Sequence, residues 1–284
     1  MRIIFNHKNM RKTCLVAALV ALVLLLLPTS SQAAGKLDTK TTTVQNKTRT
    51  YLVYVPETCA NASCPALFMF HGLGGTAQQA ADNYGWKETS DKNGFITVFP
   101  ESLTIPQKDV KIFGFNVYPN YDPAGKHWDI ALITLPLSQR YTTQDVEFVS
   151  KMISELGTDY KILTNQVYAT GHSYGAFFSY YITQCLVGKI KAFAESSGGY
   201  VSYYGYAFPI PARNAKLNTS YKTPGILLHS QKDATVSYQW SVNLSKELTS
   251  KGHPYKFVTL ADSFGHNWDQ AQNQVQWDFL KQYK

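Results

Sequence analysis

The chain has 284 residues, of which 44% are hydrophobic, 16% charged and 14% aromatic, with 19 tyrosines and a formal charge of +8. That much apolar material supports a packed core and excludes a disordered chain. Nor does the charge mark a nucleic-acid-binding protein: Lys and Arg form no stripe, and Arg2, Lys8, Arg11 and Lys12 at the N-terminus account for half of it.

Those four basic residues precede an apolar run over 14–27, then Pro28, then small residues ending in Ser31-Gln32-Ala33. Basic, apolar and small-x-small in that order is the pattern of a secretory signal. At 14 residues the run is shorter than the roughly 20 a spanning helix needs. The expectation is a signal peptide over 1–33, an exported domain over 34–284, a secreted or periplasmic location and no stable membrane insertion after cleavage. In such a compartment Cys59 and Cys64, in a short polar loop, read as a disulfide, with Cys185 left as a buried thiol. Asn46, Asn61, Asn218 and Asn243 each open an N-x-S/T triplet, which matters only in a glycosylating host.

Along the remaining chain, strand-like and helix-like segments alternate, the signature of an α/β layer fold with a mostly parallel sheet. Residues 41–45 and 49–55 read as an opening strand pair. A short apolar run over 66–70 leads into His71-Gly72-Leu73-Gly74-Gly75, followed by one helix over 76–93 opened by Thr76. Residues 95–99 form another buried strand. Residues 101–140 carry Pro, Gly and aromatics without a period, and a loop of that length is expected to be functional, a candidate lid. A helix over 142–156 follows, with Val146, Val149, Ile153 and Leu156 on one face. Strands at 167–170, 190–195, 225–229 and 255–260 then alternate with helices at 176–186, 240–250 and 275–283.

The chemistry centres on Gly171-His172-Ser173-Tyr174-Gly175. It follows the 167–170 strand and opens a helix, the setting in which a strained turn projects a nucleophilic hydroxyl. Small residues at the flanking positions let backbone and helix pass close. A serine hydroxyl needs a base, and the chain order in this arrangement is serine, acid, histidine, the last two beyond the ends of later strands. Asp233, beyond the 225–229 strand, and His266, beyond the 255–260 strand, occupy those places. Glu195 is the second choice of acid. Asp262 and Asp269 lie too close to His266 in sequence. His253 sits at the wrong end of its strand, and His229 reads as packed or hydrogen-bonded. An oxyanion hole requires two backbone N–H donors. The candidates are Tyr174, after the nucleophile, and Leu73, in the glycine turn after the early strand. That turn lacks the spacing of a dinucleotide motif, and no metal site or cofactor is implied.

His71-Gly72-x-Gly74-Gly75, the run 143–149, Gly171-His172-Ser173-Tyr174-Gly175, Asp233 and Gly265-His266-x-Trp268 together resemble secreted α/β-hydrolase esterases of the polyhydroxybutyrate depolymerase and feruloyl esterase group, in order over nearly all of the exported chain. The resemblance implies a Ser173–Asp233–His266 triad and cofactor-free hydrolysis of feruloyl, acetyl or hydroxybutyrate esters, on a small-molecule, polyester or polysaccharide-linked substrate. One departure is His127-Trp128 where that group often carries Cys-Trp. Trp128, Tyr200 and Trp268, with Tyr203, Tyr204 and Tyr206 nearby in sequence, are the candidate substrate-binding aromatics. The competing readings are a serine peptidase of the same fold and a catalytically silent binding protein.

Overall fold

In the computed structural model the described residues are 35–104, 111–112, 115–116, 126–130, 143–199 and 221–284. Eight strands form the central sheet: β1 (Lys36–Val44), β2 (Lys47–Val55), β3 (Ala66–Phe70), β4 (Ile96–Pro100), β9 (Val167–His172), β10 (Ala192–Ser196), β11 (Gly225–Ser230) and β12 (Tyr255–Leu260). Their order is β1-β2-β4-β3-β9-β10-β11-β12. The pairs β1–β2 and β2–β4 are antiparallel and all pairs beyond them parallel. A mostly parallel sheet must be covered on both faces, so its strands read as unbroken buried runs. Every residue of β3, β4, β9, β10 and β11 is buried. Edge strands β1 and β12 keep exposed positions.

Among the described residues, six α-helices cover the sheet: α1 (Ala77–Asn83), α2 (Trp86–Asn93), α3 (Gln144–Asp159), α4 (Tyr174–Cys185), α5 (Tyr238–Lys251) and α6 (Asn273–Leu280). One core joins Phe68, Phe70, Phe193 and Leu227 of the sheet to Val149 and Met152 of α3, Phe178 of α4 and Leu244 of α5. The other joins Met69, Ala194, Ile226 and Leu228 to Ala80 of α1, Trp86 of α2 and Trp277 of α6. Alternate residues of β10 thus serve opposite layers, as the two-residue period of a strand requires.

The single helix expected over 76–93 is two. Gly85, at φ 67°, breaks it in the left-handed region, and Thr76 caps the first piece by accepting from the Gln79 amide at 3.1 Å. The 101–140 segment is not wholly irregular. Within it β5 (Leu103–Thr104) pairs with β8 (Lys126–His127), and β6 (Lys111–Ile112) with β7 (Phe115–Asn116). Most of the candidate lid lies outside the described residues, as do residues 1–34 and Tyr200, Tyr203, Tyr204 and Tyr206. Cys59 and Cys64 are joined by a disulfide. Cys185 ends α4 half-buried rather than buried. Among the described residues, no helix is long and apolar enough to cross a membrane.

Candidate active site

Ser173 stands between β9 and α4 at φ 56°, ψ −121°, a conformation a non-glycine residue adopts only when its surroundings enforce it. The enforcement is visible on both sides. A Cβ on Gly171 would lie 2.2 Å from the Gly175 carbonyl oxygen, and one on Gly175 would lie 2.1 Å from that of Phe70. Only glycine lets α4 start this close to the ends of β9 and β3. The Ser173 amide donates to the Ser196 carbonyl at 2.9 Å, which ties the turn to the end of β10.

His266 and Asp233 come from the same edge of the sheet, beyond the C-terminal ends of β12 and β11. His266 Nε2 lies 3.0 Å from Ser173 Oγ, and its Nδ1 lies 2.7 Å from Asp233 Oδ2. The Asp233 side chain is fully buried, and its Oδ1 accepts from the amides of Thr235 at 2.9 Å and Val236 at 2.8 Å. Burial alone would raise this carboxyl, but the hydrogen bonds from His266, Val236 and Thr235 hold it below the ordinary carboxylate range. With an ionised acceptor at Nδ1, His266 carries its hydrogen there and turns a lone pair toward Ser173. The sequence expectation brings these three together in one hydrogen-bonded line.

The rivals separate cleanly. Glu195 is fully buried on β10, and burial pushes its carboxyl up to about 8. His253 is buried before β12, at the far edge of the sheet, with Nδ1 on the Thr223 carbonyl at 3.1 Å. His229 is buried beside Asp233, with Nε2 3.2 Å from Oδ2, so it is hydrogen-bonded as expected but against the acid itself.

The loop after β3 is held from several directions. Trp128 Nε1 donates to the His71 carbonyl at 2.8 Å, and the Gly74 amide donates to the Lys126 carbonyl at 2.8 Å. His71 Nδ1 donates to the Gly72 carbonyl at 2.8 Å, while Nε2 accepts from the Ser102 amide at 3.2 Å. Burial pushes the His71 imidazole down, consistent with this neutral tautomer. The loop brings Gly72 and Leu73 to the cavity that Ser173 and Tyr174 also line.

That cavity is about 380 Å³, lined by Leu73, Tyr84, Phe177, Val236 and Trp240 around Ser173 and His266. Its walls are apolar and aromatic with the reactive pair at one side. Two of the expected substrate aromatics stand elsewhere. Trp128 is fully buried between Phe70 and Phe178, so it supports the Gly72–Leu73 loop from behind and does not line the cavity. Trp268 donates Nε1 to the Tyr84 carbonyl and to Asn273 Oδ1, both at 3.0 Å, and packs on the Tyr84 ring at 5.0 Å. It too backs a wall without lining it. The lining residues Tyr84, Phe177, Val236 and Trp240 escaped the sequence reading, because they come from helices and turns with no motif. His172 had a signal, its place beside the nucleophile. Burial holds its imidazole down at about 4, and its ring lies against His266 with centroids 4.9 Å apart. Among the described residues, no group of three or more His, Cys, Asp or Glu is placed to hold a metal ion.

Comparison with solved structures gives a ferulic acid esterase at a TM-score of 0.62 and 14% identity, over 87% of this chain and 97% of that one. An S-formylglutathione hydrolase from Agrobacterium tumefaciens aligns at 0.60 and 14% identity, over 87% and 96%. The chain has the α/β-hydrolase fold. Within that fold Ser173 sits at the strand–helix turn after β9, and Asp233 and His266 follow the two strands at the sheet edge, in the serine, acid, histidine order. No family model matches the sequence. A curated relative, the bifunctional acetylxylan esterase/xylanase of Neocallimastix patriciarum, is 26% identical over 249 residues, 81% of this chain and 33% of that protein. Feruloyl esterase D of Neurospora crassa is 25% identical over 166 residues, 58% of this chain and 50% of that protein. The chain therefore spans half or less of the length of these two curated relatives.

Proposed function

We propose that this α/β-hydrolase is a secreted serine esterase that cleaves acetyl or feruloyl esters, including those carried on polysaccharide, through an acyl-enzyme on Ser173. The observation that carries the reading is the line Ser173 Oγ, His266 Nε2, His266 Nδ1 and Asp233 Oδ2, with contacts of 3.0 and 2.7 Å, opening on an apolar cavity. His266 takes the Ser173 proton as Oγ attacks the ester carbonyl, and Asp233 holds the tautomer and stabilises the imidazolium. The amides of Tyr174 and Leu73 receive the developing oxyanion. His266 then gives its proton to the leaving alkoxide, and water enters by the same route to release the acid. The names of the relatives support ester hydrolysis, and they favour acetyl and feruloyl groups over hydroxybutyrate.

Residues 1–33 act as the export signal and 34–284 as the catalytic domain. The Cys59–Cys64 disulfide supports export, since such bonds persist in oxidising compartments. The test is hydrolysis of p-nitrophenyl acetate, methyl ferulate, acetylated xylan and a hydroxybutyrate oligomer by the wild type and Ser173→Ala. Turnover of the first three, lost in the variant, supports the reading. Amide cleavage without ester turnover would favour a peptidase, and no turnover a binding protein.

A further inference from the structure

Behind Asp233 the buried polar side chains continue. His229 at the end of β11 places Nε2 3.2 Å from Asp233 Oδ2 and 3.0 Å from the Val236 carbonyl oxygen. Its Nδ1 lies 2.7 Å from Ser241 Oγ on α5. Ser241 Oγ in turn lies 3.4 Å from Glu195 Oε1 on β10 and 3.1 Å from the Gly198 carbonyl oxygen. Glu195, Ser241 and His229 are all fully buried.

The directions of these bonds follow from the atoms. Both neighbours of His229 Nε2 accept only, so Nε2 carries the hydrogen. Burial pushes this imidazole down and keeps it neutral, so Nδ1 is an acceptor. The one hydrogen of Ser241 therefore goes to Nδ1. Its oxygen then faces two groups, and of these only Glu195, when protonated, has a hydrogen to give. We propose that Glu195, Ser241 and His229 are positioning residues of the Ser173–His266–Asp233 site: a one-way hydrogen-bond relay, with Glu195 as the first donor, that ends on Asp233 Oδ2, the same oxygen that faces His266 Nδ1. The geometry is independent of turnover, but its catalytic consequence rests on the esterase reading above.

Burial pushes the Glu195 carboxyl up to about 8, so at neutral pH it holds the hydrogen it gives to Ser241. The titratable groups facing the relay are Asp233, His266 and His172 around His229, with the Tyr238 ring 5.7 Å away on its other side. When Glu195 ionises, Ser241 turns its hydrogen to the carboxylate and His229 Nδ1 loses its donor. Asp233 is then held less firmly.

Long-range proton–nitrogen NMR of the full chain labelled at histidine nitrogen tests this without substrate. The expected wild-type result is an Nε2–H tautomer for His229 below pH 7, with its Nδ1 resonance moving as pH passes through about 8. Glu195→Gln, whose amide can still donate to Ser241, should keep the tautomer and abolish that movement. An Nδ1–H tautomer in the wild type, or a movement near pH 8 that persists in Glu195→Gln, overturns the proposal. The kinetic arm is Ser241→Ala, expected to lower kcat on methyl ferulate about tenfold with KM unchanged. Unchanged kcat in a folded Ser241→Ala also overturns it. If the NMR result holds and no ester is turned over by the wild type, the esterase reading fails and the relay stands.

Discussion

The indole N–H of Trp128 donates to the carbonyl of His71 at 2.8 Å, across 57 positions of sequence. His71 directly precedes Gly72 and Leu73, so in the proposed mechanism this bond helps to position the Leu73 amide. Trp128 is stacked against Phe178 with the rings 4.9 Å apart and inclined by only 16°. Trp128→Phe should keep most of that packing and lose the donor. The expected result is kcat lowered about tenfold with KM little changed, since an oxyanion donor acts mainly in the transition state. Steady-state kinetics on p-nitrophenyl acetate checks this, and a rise in KM alone would place Trp128 against the substrate.

Asp233→Asn should keep the fold and lose most turnover. The two amides at Oδ1 still find an oxygen, but the NH2 group of asparagine then faces His266 Nδ1 and favours the wrong tautomer. The expected loss in kcat is about 10³–10⁴ with a native circular dichroism spectrum. Near-native turnover would remove Asp233 from the acid's role.

Glu195 also sets a pH dependence of stability. Its carboxyl is pushed by burial from an ordinary 4.5 to about 8. Between those values the folded chain binds the proton and the unfolded chain does not, so this group makes stability fall as pH rises from about 4.5 to about 8. Asp129, raised to about 6 by burial and then by Asp145, adds the same sign over a narrower range. Urea midpoints should fall from pH 7 to pH 8, above the range where the lowered imidazoles of His71, His172 and His229 add the opposite sign, and Glu195→Gln should reduce that slope. An unchanged slope would show that Glu195 ionises normally.

Much of this was legible in the sequence, for physical reasons that differ by element. The parallel strands betrayed themselves as short apolar runs, and Gly171, Ser173 and Gly175 as a turn that only small residues can make. Asp233 and His266 followed from strand order, because loops beyond the same sheet edge must meet. The break at Gly85 was missed because the flanking helices share one apolar pattern. Trp128 was misplaced because an aromatic in an aperiodic segment looks alike whether it faces solvent, substrate or core. His229, Ser241 and Glu195 could not be joined beforehand: each comes from a different element, and their meeting depends on the register of β10 with β11 and the rotation of α5.

The central claim is that Ser173 is a nucleophile activated by His266, and covalent labelling tests it most directly. The chain is treated with a fluorophosphonate probe and the adduct located by peptide mass spectrometry. The expected result is one adduct per chain on Ser173, none in Ser173→Ala, and labelling slowed by orders of magnitude in His266→Gln. An unlabelled wild-type chain, or an adduct on another residue, would contradict the claim.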